Sequence, residues 1–342
     1  MNLPDPKVQY SNSSQCAGYS MPQAGRPAIS IITPAYNEAQ NLPILYERLV
    51  LALKSEGEWE WIIVDDHSSD DTFAAISELA TKDARIRGFR FARNFGSHTA
   101  IACGFHHSRG DCAVIMAADL QDPPETIPLL IKERQAGAQV VWAVRAHREG
   151  EEKTTIGFSR LYYFLMRRVV GLTGTPSTGA DFFLIDRQVI DAFCSFGEAN
   201  VSIFALITWM GFRQALVHYD KKARLHGRSG WNLEKKIKLV LDSVTSFTYL
   251  PIRLMSYTGF AIAFIGFLYS FWVIINALAG RPAQGWTSLM VVVLVIGGIQ
   301  MLMMGVLGEY LWRALDESRR RPRYLVEAKT PPSASQQKVS AP

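Results

Sequence analysis

The sequence predicts an α/β domain with a mostly parallel sheet and flanking helices, followed by an amphipathic helix and a two-helix membrane hairpin. Two observations predict this fold. Between residues 28 and 144, short apolar runs alternate with segments of helical periodicity, which is typical of parallel strands joined by helices. Nearer the C-terminus, residues 256–279 and 287–307 are almost continuously apolar, and each segment reaches the length of about 20 residues that crosses a bilayer core.

Five strands are expected in the N-terminal part, each an apolar run that ends at a turn or at polar residues. They cover residues 28–32, 59–64, 86–91, 112–116 and 139–144, and the helices between them cover residues 39–53, 71–81, 99–107 and 124–136. Ligands of such sheets bind at the carboxyl ends of the strands. The acidic and Asn-rich clusters at those ends therefore form the candidate site.

The composition excludes several other classes of protein. With 342 residues, of which 48% are hydrophobic and 20% charged, the chain is neither disordered nor too short for a buried core. Its four cysteines are widely spaced and form no CxxC pair, so they indicate neither a disulfide scaffold nor a zinc site. Much of the net charge of +5 lies beside the apolar segments, which favours a membrane surface over nucleic acid as the partner.

The charge pattern also predicts the orientation of the hairpin. Lysine and arginine precede the first apolar segment and follow the second, whereas the loop between them holds only Arg281. The positive-inside rule therefore places the large domain and the C-terminal tail in the cytoplasm. Two buried core helices are the alternative, but such helices rarely reach this length without charge.

These features divide the chain into five regions. They are a flexible arm (1–27), the α/β domain (28–230), a juxtamembrane helix region (231–252), two spans (253–312, with helices at about 254–279 and 287–311), and a tail (313–342) that is basic and then flexible. The juxtamembrane region is amphipathic, so we expect it to lie along the membrane interface or to pack against the sheet. Gly297, Gly298 and Gly305 in the second span favour close helix packing and a homo-oligomer.

Two motifs follow the first two strands. Residues 30–38 (SIITPAYNE) lead from a strand into a helix, and backbone N–H groups at such a junction can face a nucleotide, although an ordinary turn has the same form. Residues 64–72 (VDDHSSDDT) hold four carboxylates that need donors or cations nearby. Asp65 or Asp66 is predicted to bind the ligand, Asp66 through a base or ribose, and Asp71 is predicted to cap the next helix.

The third motif, residues 116–125 (MAADLQDPPE), predicts a metal site. Asp119 and Gln121 offer a carboxylate and an amide oxygen, the hard ligands that Mg²⁺ or Mn²⁺ prefers. Two protein ligands suffice only where a bound diphosphate supplies further oxygens. The motif therefore predicts a divalent cation whose ligand set a substrate completes.

In this order, the three motifs resemble those of the family-two glycosyltransferases with the GT-A fold, a Rossmann-like α/β fold. Further segments resemble the branch that loads sugars onto polyprenyl phosphates, which includes dolichyl-phosphate mannose synthases and bacterial undecaprenyl-phosphate glycosyltransferases. They are RNFG (93–96), TGADF (178–182), RLHGRS (224–229) and Ser246-Phe247. The hairpin and its GEY exit (308–310) look like the bacterial glucosyl subtype, and the whole resemblance covers residues 28–326.

The resemblance implies an inverting transfer of glucose from UDP-glucose to undecaprenyl or another polyprenyl phosphate at the cytoplasmic membrane face. GDP-mannose and UDP-4-amino-arabinose are alternative donors, because no residue here is tied to glucose. A processive polysaccharide synthase is a further alternative, but the chain has neither a QxxRW motif nor more spans. A non-catalytic membrane scaffold is the alternative from another class.

The resemblance also implies roles for individual residues. Asp119, Asp181 and Arg224 would be catalytic, with Asp181 orienting the sugar or acting as base. The metal would be held by Asp119 and Gln121, and the acceptor phosphate would contact Arg160, Arg224 and Ser229. The donor nucleotide-sugar would contact Pro34, Ala35, Tyr36, Glu38, Asp66, Asn94 and Asp119.

Three positions depart from the family pattern. Ala117 replaces the first carboxylate of the family's DAD triplet, Phe183 replaces an Arg, and Gly230 replaces a Lys. The expected metal site therefore depends on Asp119 and Gln121 alone, and the contacts to the acceptor phosphate are expected to be redistributed. The missing carboxylate is also the reason for considering the scaffold.

Overall fold

The computed structural model describes residues 27–145, 181–197, 202–221, 250–279, 285–319 and 321–331. Several of the predictions above lie outside these residues. They are the predicted arm up to residue 26, the juxtamembrane region up to residue 249, and the acceptor-phosphate residues Arg160, Arg224 and Ser229.

Eight strands form one mixed sheet. They span Ile29–Ala35 (β1), Trp59–Asp65 (β2), Ile86–Phe91 (β3), Cys112–Ile115 (β4), Val140–Arg145 (β5), Phe183–Asp186 (β6), Gln214–Tyr219 (β7) and Val326–Lys329 (β8). Their order in the sheet is β7-β5-β6-β4-β1-β2-β3-β8. Only β6 and β8 run antiparallel to their neighbours, so the other six strands share one direction and their carboxyl ends meet at one edge.

Helices cover both faces of this sheet. They span Asn41–Ala52 (α1), Thr72–Lys82 (α2), Ser97–His107 (α3), Ile127–Gln135 (α4), Arg187–Ser195 (α5) and Ile203–Trp209 (α6). Apolar side chains of α1, α2 and α4 pack on one face, and those of α3, α5 and α6 pack on the other. Because β1 and β2 are buried on both sides, they read as nearly continuous apolar runs. The predicted fold class is therefore confirmed.

Phe183, which stands where the family pattern has an Arg, is part of the core. Its side chain is fully buried in β6, and its ring centroid lies 5.0 Å from that of Trp142 and 5.7 Å from that of Phe204. Aromatic packing of this kind stabilises the domain beyond the burial of apolar area alone. The departure at this position therefore replaces a charge with a core contact.

We expect the substitution Phe183→Arg to lower the free energy of unfolding by about 3–5 kcal/mol, because it removes a buried ring and buries a charge without a partner. Chemical denaturation of the purified protein measures this loss. Phe183→Leu is the matched control and should lower the free energy of unfolding by only about 1 kcal/mol. Equal stability of the Arg and Leu variants would contradict the assignment of Phe183 to the core.

The C-terminal tail returns to the sheet, where the sequence predicted a flexible segment. β8 pairs antiparallel with β3, and the Gly88 N–H donates a hydrogen bond of 2.9 Å to the Thr330 hydroxyl. The Tyr324 ring stacks on the Phe91 ring at 5.2 Å. The four residues VEAK are short and half polar, so periodicity alone does not distinguish this strand from a solvated tail.

In the chain, two long apolar helices follow the α/β domain and precede β8. They span Leu250–Leu278 (α7) and Trp286–Ser318 (α8), and both are long and apolar enough to cross a membrane. Their apolar side chains are exposed rather than packed in a core, as for Phe260 (75% exposed) and Met301 (76% exposed). An apolar surface of this size needs a lipid or protein partner, and this argues against the alternative of two buried core helices.

Candidate active site

Three loops meet at the carboxyl edge of the sheet, after β1, β2 and β4. Each loop holds one non-glycine residue with positive φ: Asn37 at 57°, His67 at 61° and Leu120 at 61°. Within the described part of the chain, these are the non-glycine residues in that conformation. Such strained positions persist where the surrounding structure holds them, and they cluster at functional sites.

The loops after β1 and β2 are tied to each other by side chains. The Asn37 N–H donates to the Ser68 hydroxyl at 2.9 Å, and the Ser69 N–H donates to Asn37 Oδ1 at 2.9 Å. The Glu38 N–H donates to the Thr72 hydroxyl at 2.9 Å. The predicted donor-binding motif is therefore held rigidly against the acidic motif.

Within the first loop, the predicted donor residues differ in exposure. Ala35 is buried and Pro34 partly buried in β1, so either would contact a ligand mainly through its backbone. Tyr36 is half exposed and presents an aromatic ring at the edge. Glu38 is partly buried and accepts a hydrogen bond from the Asn41 side-chain amide at 2.5 Å.

The two adjacent carboxylates after β2 have different tasks. Asp65 is fully buried, and its Oδ1 accepts hydrogen bonds from the Ser68 N–H at 2.9 Å and the Ser68 hydroxyl at 2.5 Å. Its other oxygen lies 3.7 Å from Arg90 Nε. Asp65 therefore holds its own loop in shape, which leaves Asp66 as the candidate for ligand binding.

Asp66 connects the second strand to the RNFG segment. Its two carboxyl oxygens accept hydrogen bonds from the N–H groups of Phe95 (2.6 Å) and Gly96 (2.8 Å). Burial raises the pKa of Asp66, and these two donors partly oppose that rise. The segment it holds carries Asn94, whose side chain is exposed at the same edge. Asp66 thus positions the predicted donor residue Asn94 and keeps further lone pairs for a ligand.

Asp70, rather than Asp71, makes the capping contacts before α2. Asp70 Oδ1 accepts hydrogen bonds from the Thr72 N–H at 3.1 Å and from the Thr72 hydroxyl at 2.5 Å. Asp71 occupies the position before the helix but makes no side-chain capping hydrogen bond. The prediction for Asp71 was wrong because a carboxylate two residues before Thr72 closes an Asx-type turn that also satisfies its N–H group.

The third loop brings the predicted metal ligands to the same edge. Asp119 is buried, and its Oδ1 accepts a hydrogen bond from the Gln121 N–H at 3.2 Å, while the Gln121 side chain is partly buried. The residues described here include no group of three or more His, Cys, Asp or Glu side chains that could hold a metal. A carboxylate and an amide fit a hard cation only when a substrate adds oxygens.

Asp181 lies two residues before the start of β6, and β6 runs antiparallel beside β4, so this exposed residue also lies at the carboxyl edge. Its charge raises the pKa of Asp122, although burial of Asp122 is the larger cause. It also opposes the lowering of the His98 pKa by burial. The register of β6 on β4 therefore places Asp181 at the same edge of the sheet as the loop that holds Asp119.

Three functional candidates at this edge are absent from the sequence predictions. Asp122 is fully buried and accepts a hydrogen bond from the Tyr219 hydroxyl at 2.5 Å, while Lys221 Nζ lies 3.4 Å from the same oxygen. Tyr219 ends β7, 97 residues after Asp122. No local spacing signals this contact, because only the sheet topology brings the ends of β4 and β7 to one edge.

Comparisons with known proteins agree with this architecture. Residues 30–193 match the model of glycosyl transferase family 2, and residues 250–313 match the GtrB C-terminal hairpin. An uncharacterised glycosyltransferase of Bacillus subtilis, YkcC, is 36% identical over 87% of this chain and 93% of its own length. The bactoprenol glucosyl transferase of Shigella phage SfV is 35% identical over 87% of this chain and 98% of its own length.

A prophage bactoprenol glucosyl transferase homologue of Escherichia coli K12 is 34% identical, again over 87% of this chain and 98% of its own length. The similarity to these relatives therefore extends through both the α/β domain and the hairpin. The resemblance seen in the motifs is confirmed, and the chain belongs to the family-2 glycosyltransferases, in the branch that ends in a GtrB-type hairpin.

Proposed function

We propose that this enzyme transfers glucose from UDP-glucose to a polyprenyl phosphate with inversion at the anomeric carbon. Hexosyl transfer itself is supported by the family-2 domain and by relatives named bactoprenol glucosyl transferase. The observation that carries the proposal is the meeting of three groups at one edge of the sheet. These groups are the Asp66 loop, the pair Asp119 and Gln121, and Asp181.

The donor would bind across the loops after β1, β2 and β4. Tyr36 offers an exposed ring for the base, and Asp66 and Asn94 offer polar groups for the base or ribose. Asp119 and Gln121 would hold Mg²⁺ or Mn²⁺ together with diphosphate oxygens of the donor. When bound, the cation neutralises the charge that develops on the leaving nucleoside diphosphate.

The chemical step needs little help with deprotonation. A phosphate monoester is already ionised at neutral pH, so an oxygen of the acceptor attacks the anomeric carbon directly and displaces UDP. A bond forms between the acceptor oxygen and the anomeric carbon, and the bond from that carbon to the diphosphate oxygen breaks. Asp181, which acts electrostatically on Asp122 at this edge, would orient the sugar hydroxyls for this in-line attack.

Incubation of the full-length protein in membranes with labelled donors and undecaprenyl phosphate tests the proposal. UDP-glucose, UDP-galactose, UDP-N-acetylglucosamine, UDP-4-amino-arabinose and GDP-mannose are compared, each with and without chelator. We expect label in the lipid fraction from UDP-glucose, loss of label with chelator, and recovery with added Mg²⁺ or Mn²⁺. Another donor as the best substrate would overturn the choice of glucose, and no lipid label from any donor would favour the scaffold.

We further propose that the hairpin crosses the membrane with both ends in the cytoplasm. β8 follows α8 in the chain yet pairs with β3 of the domain that precedes α7, so both ends of the hairpin lie on one side. The positive residues that flank the two apolar segments favour the cytoplasmic side.

Labelling of single cysteines in intact cells measures this topology. A membrane-impermeant maleimide should modify the variant Gly285→Cys, in the connection before α8, without lysis. The variant Leu325→Cys, at an exposed position next to β8, should react only after lysis. Reaction of the Leu325→Cys variant in intact cells would place the domain on the outer side and contradict the proposal.

A further inference from the structure

A buried ion pair lies at the carboxyl edge of the sheet, beside the predicted catalytic carboxylates. Asp122 follows β4, Tyr219 is the last residue of β7, and Lys221 lies two residues further on. The Asp122 side chain is 0% exposed and that of Lys221 only 13% exposed. The pair therefore occupies an interior position rather than a solvated surface.

The contacts within this group are asymmetric. Asp122 Oδ1 accepts a hydrogen bond from the Tyr219 hydroxyl at 2.5 Å. The same oxygen lies 3.4 Å from the Lys221 ammonium. Among the described residues, Asp122 Oδ2 is buried and has no hydrogen-bond partner. A buried carboxylate with one unsatisfied oxygen is costly for folding, and apolar residues of similar volume would often be at least as stable. The arrangement therefore suggests a task other than stability.

The surroundings of the pair indicate what this task is. Asp119 and Asp181 both lie close enough to act on Asp122 electrostatically, so the edge is rich in negative charge. Both substrates of the proposed reaction carry phosphate groups, which need cations to approach such an edge. The Lys221 ammonium has three N–H donors, and its ion pair with Asp122 holds it at this place.

Two positions at which the family pattern has a cation hold none in this chain. Phe183 and Gly230 stand where the pattern has an Arg and a Lys, and the structure shows Phe183 buried in the core. Arg145, at the end of β5, also acts electrostatically on Tyr219. The position of Lys221 is fixed by a buried carboxylate, which also accepts a hydrogen bond from the Tyr219 hydroxyl.

We propose that Lys221 binds a phosphate group of a substrate, and that Asp122 and Tyr219 are positioning residues that hold its ammonium in place. This inference rests on the proposed glycosyl transfer. The phosphate belongs either to the donor diphosphate or to the acceptor lipid, and the chemistry of recognition is the same for both. Separate KM values for the two substrates distinguish these sources.

The test uses the full-length protein in membranes and three variants: Lys221→Met, Lys221→Arg and Asp122→Asn. Lys221→Met should raise the KM of one substrate by about 10-fold or more, because a charge-assisted contact is lost, with a smaller change in kcat. Lys221→Arg should restore most of the affinity. Asp122→Asn keeps the acceptor for Tyr219 but removes the charge that holds Lys221, so it should raise the same KM.

The ion pair between Glu60 and Arg87 provides a matched control. Its side chains are 7% and 17% exposed, and it lies at the opposite edge of the sheet, near the starts of β2 and β3. Arg87→Met should reduce thermal stability as much as Lys221→Met does, yet leave both KM values unchanged. If Lys221→Met leaves both KM values at the wild-type level, or if Arg87→Met raises them equally, the proposal is overturned.

A binding measurement separates this proposal from the proposed function. Quenching of tryptophan fluorescence reports the affinity for UDP and for a short-chain polyprenyl phosphate without turnover. If the wild-type protein transfers no sugar to the lipid, the proposed glycosyl transfer is wrong. The role of Lys221 would then be decided by whether Lys221→Met weakens binding of either phosphate compound about 10-fold relative to wild type, or leaves both affinities unchanged.

Discussion

Replacement of Asp119 by Asn is expected to lower kcat/KM for sugar transfer by about 10³-fold, equivalent to about 4 kcal/mol of transition-state stabilisation. Asp119 is buried at the carboxyl edge, and because residue 117 is Ala, it is the carboxylate that remains in the triplet 117–119 for the predicted metal. The amide of Asn keeps an acceptor for the Gln121 N–H, so the loop should persist while the charge on the metal ligand is lost.

Initial rates with labelled donor, measured over a range of Mn²⁺ or Mg²⁺ concentrations, check this expectation. Asp71→Asn is the matched control, because Asp71 is exposed in a neighbouring acidic motif and makes no capping hydrogen bond with its side chain. The control should keep the wild-type rate. Full transfer by Asp119→Asn at ordinary metal concentrations would show that the assignment of Asp119 as a metal ligand is wrong.

Truncation of the chain after residue 320 is expected to lower the free energy of unfolding of the domain by about 3 kcal/mol. The truncation removes β8 from the edge of β3, together with the ring of Tyr324 that stacks on Phe91. Burial of a large side chain contributes about 1.5–3 kcal/mol, and each hydrogen bond of the strand ladder adds about 1 kcal/mol. The ordering entropy of the tail offsets part of that gain.

Hydrogen exchange of peptides that cover β3 reports this loss most directly. The amide of Gly88 donates to the Thr330 hydroxyl, and its protection should fall in the truncated protein. Truncation after Pro331 is the control, because it keeps the whole of β8 and should leave exchange unchanged. Equal protection of β3 in both truncated proteins would show that β8 contributes nothing to the stability of the sheet.

Periodicity was sufficient to predict most of the fold, and motif position predicted where Asp66 and Asp119 lie in the sheet. The strands β1, β2, β4 and β5 are short, largely apolar runs because they are buried on both faces. Asp66 and Asp119 were predicted at strand ends, and the structure places them at one edge. These predictions share a cause, since the strands and the motifs are each recognised from a stretch of about ten consecutive residues.

The features that escaped prediction depend on contacts between distant residues. Asp66 was expected to bind a ligand, but its oxygens also hold the backbone of Phe95 and Gly96 about 30 residues later. Asp122 and Lys221 meet only because β4 and β7 end at the same edge of the sheet. β8 is too short and too polar to be recognised before its partner strand is known.

The pairing of β8 with β3 also has a consequence for biosynthesis. Thr330 lies 242 residues beyond Gly88, to which it bonds, so at about 5–20 residues per second the edge of β3 stays uncovered for roughly 10–50 s after it is made. During that interval both apolar helices are synthesised. A chain that inserted only one of them would leave its last strand across the bilayer from β3. In the proposed topology, closure of the sheet would therefore exclude insertion of one helix without the other.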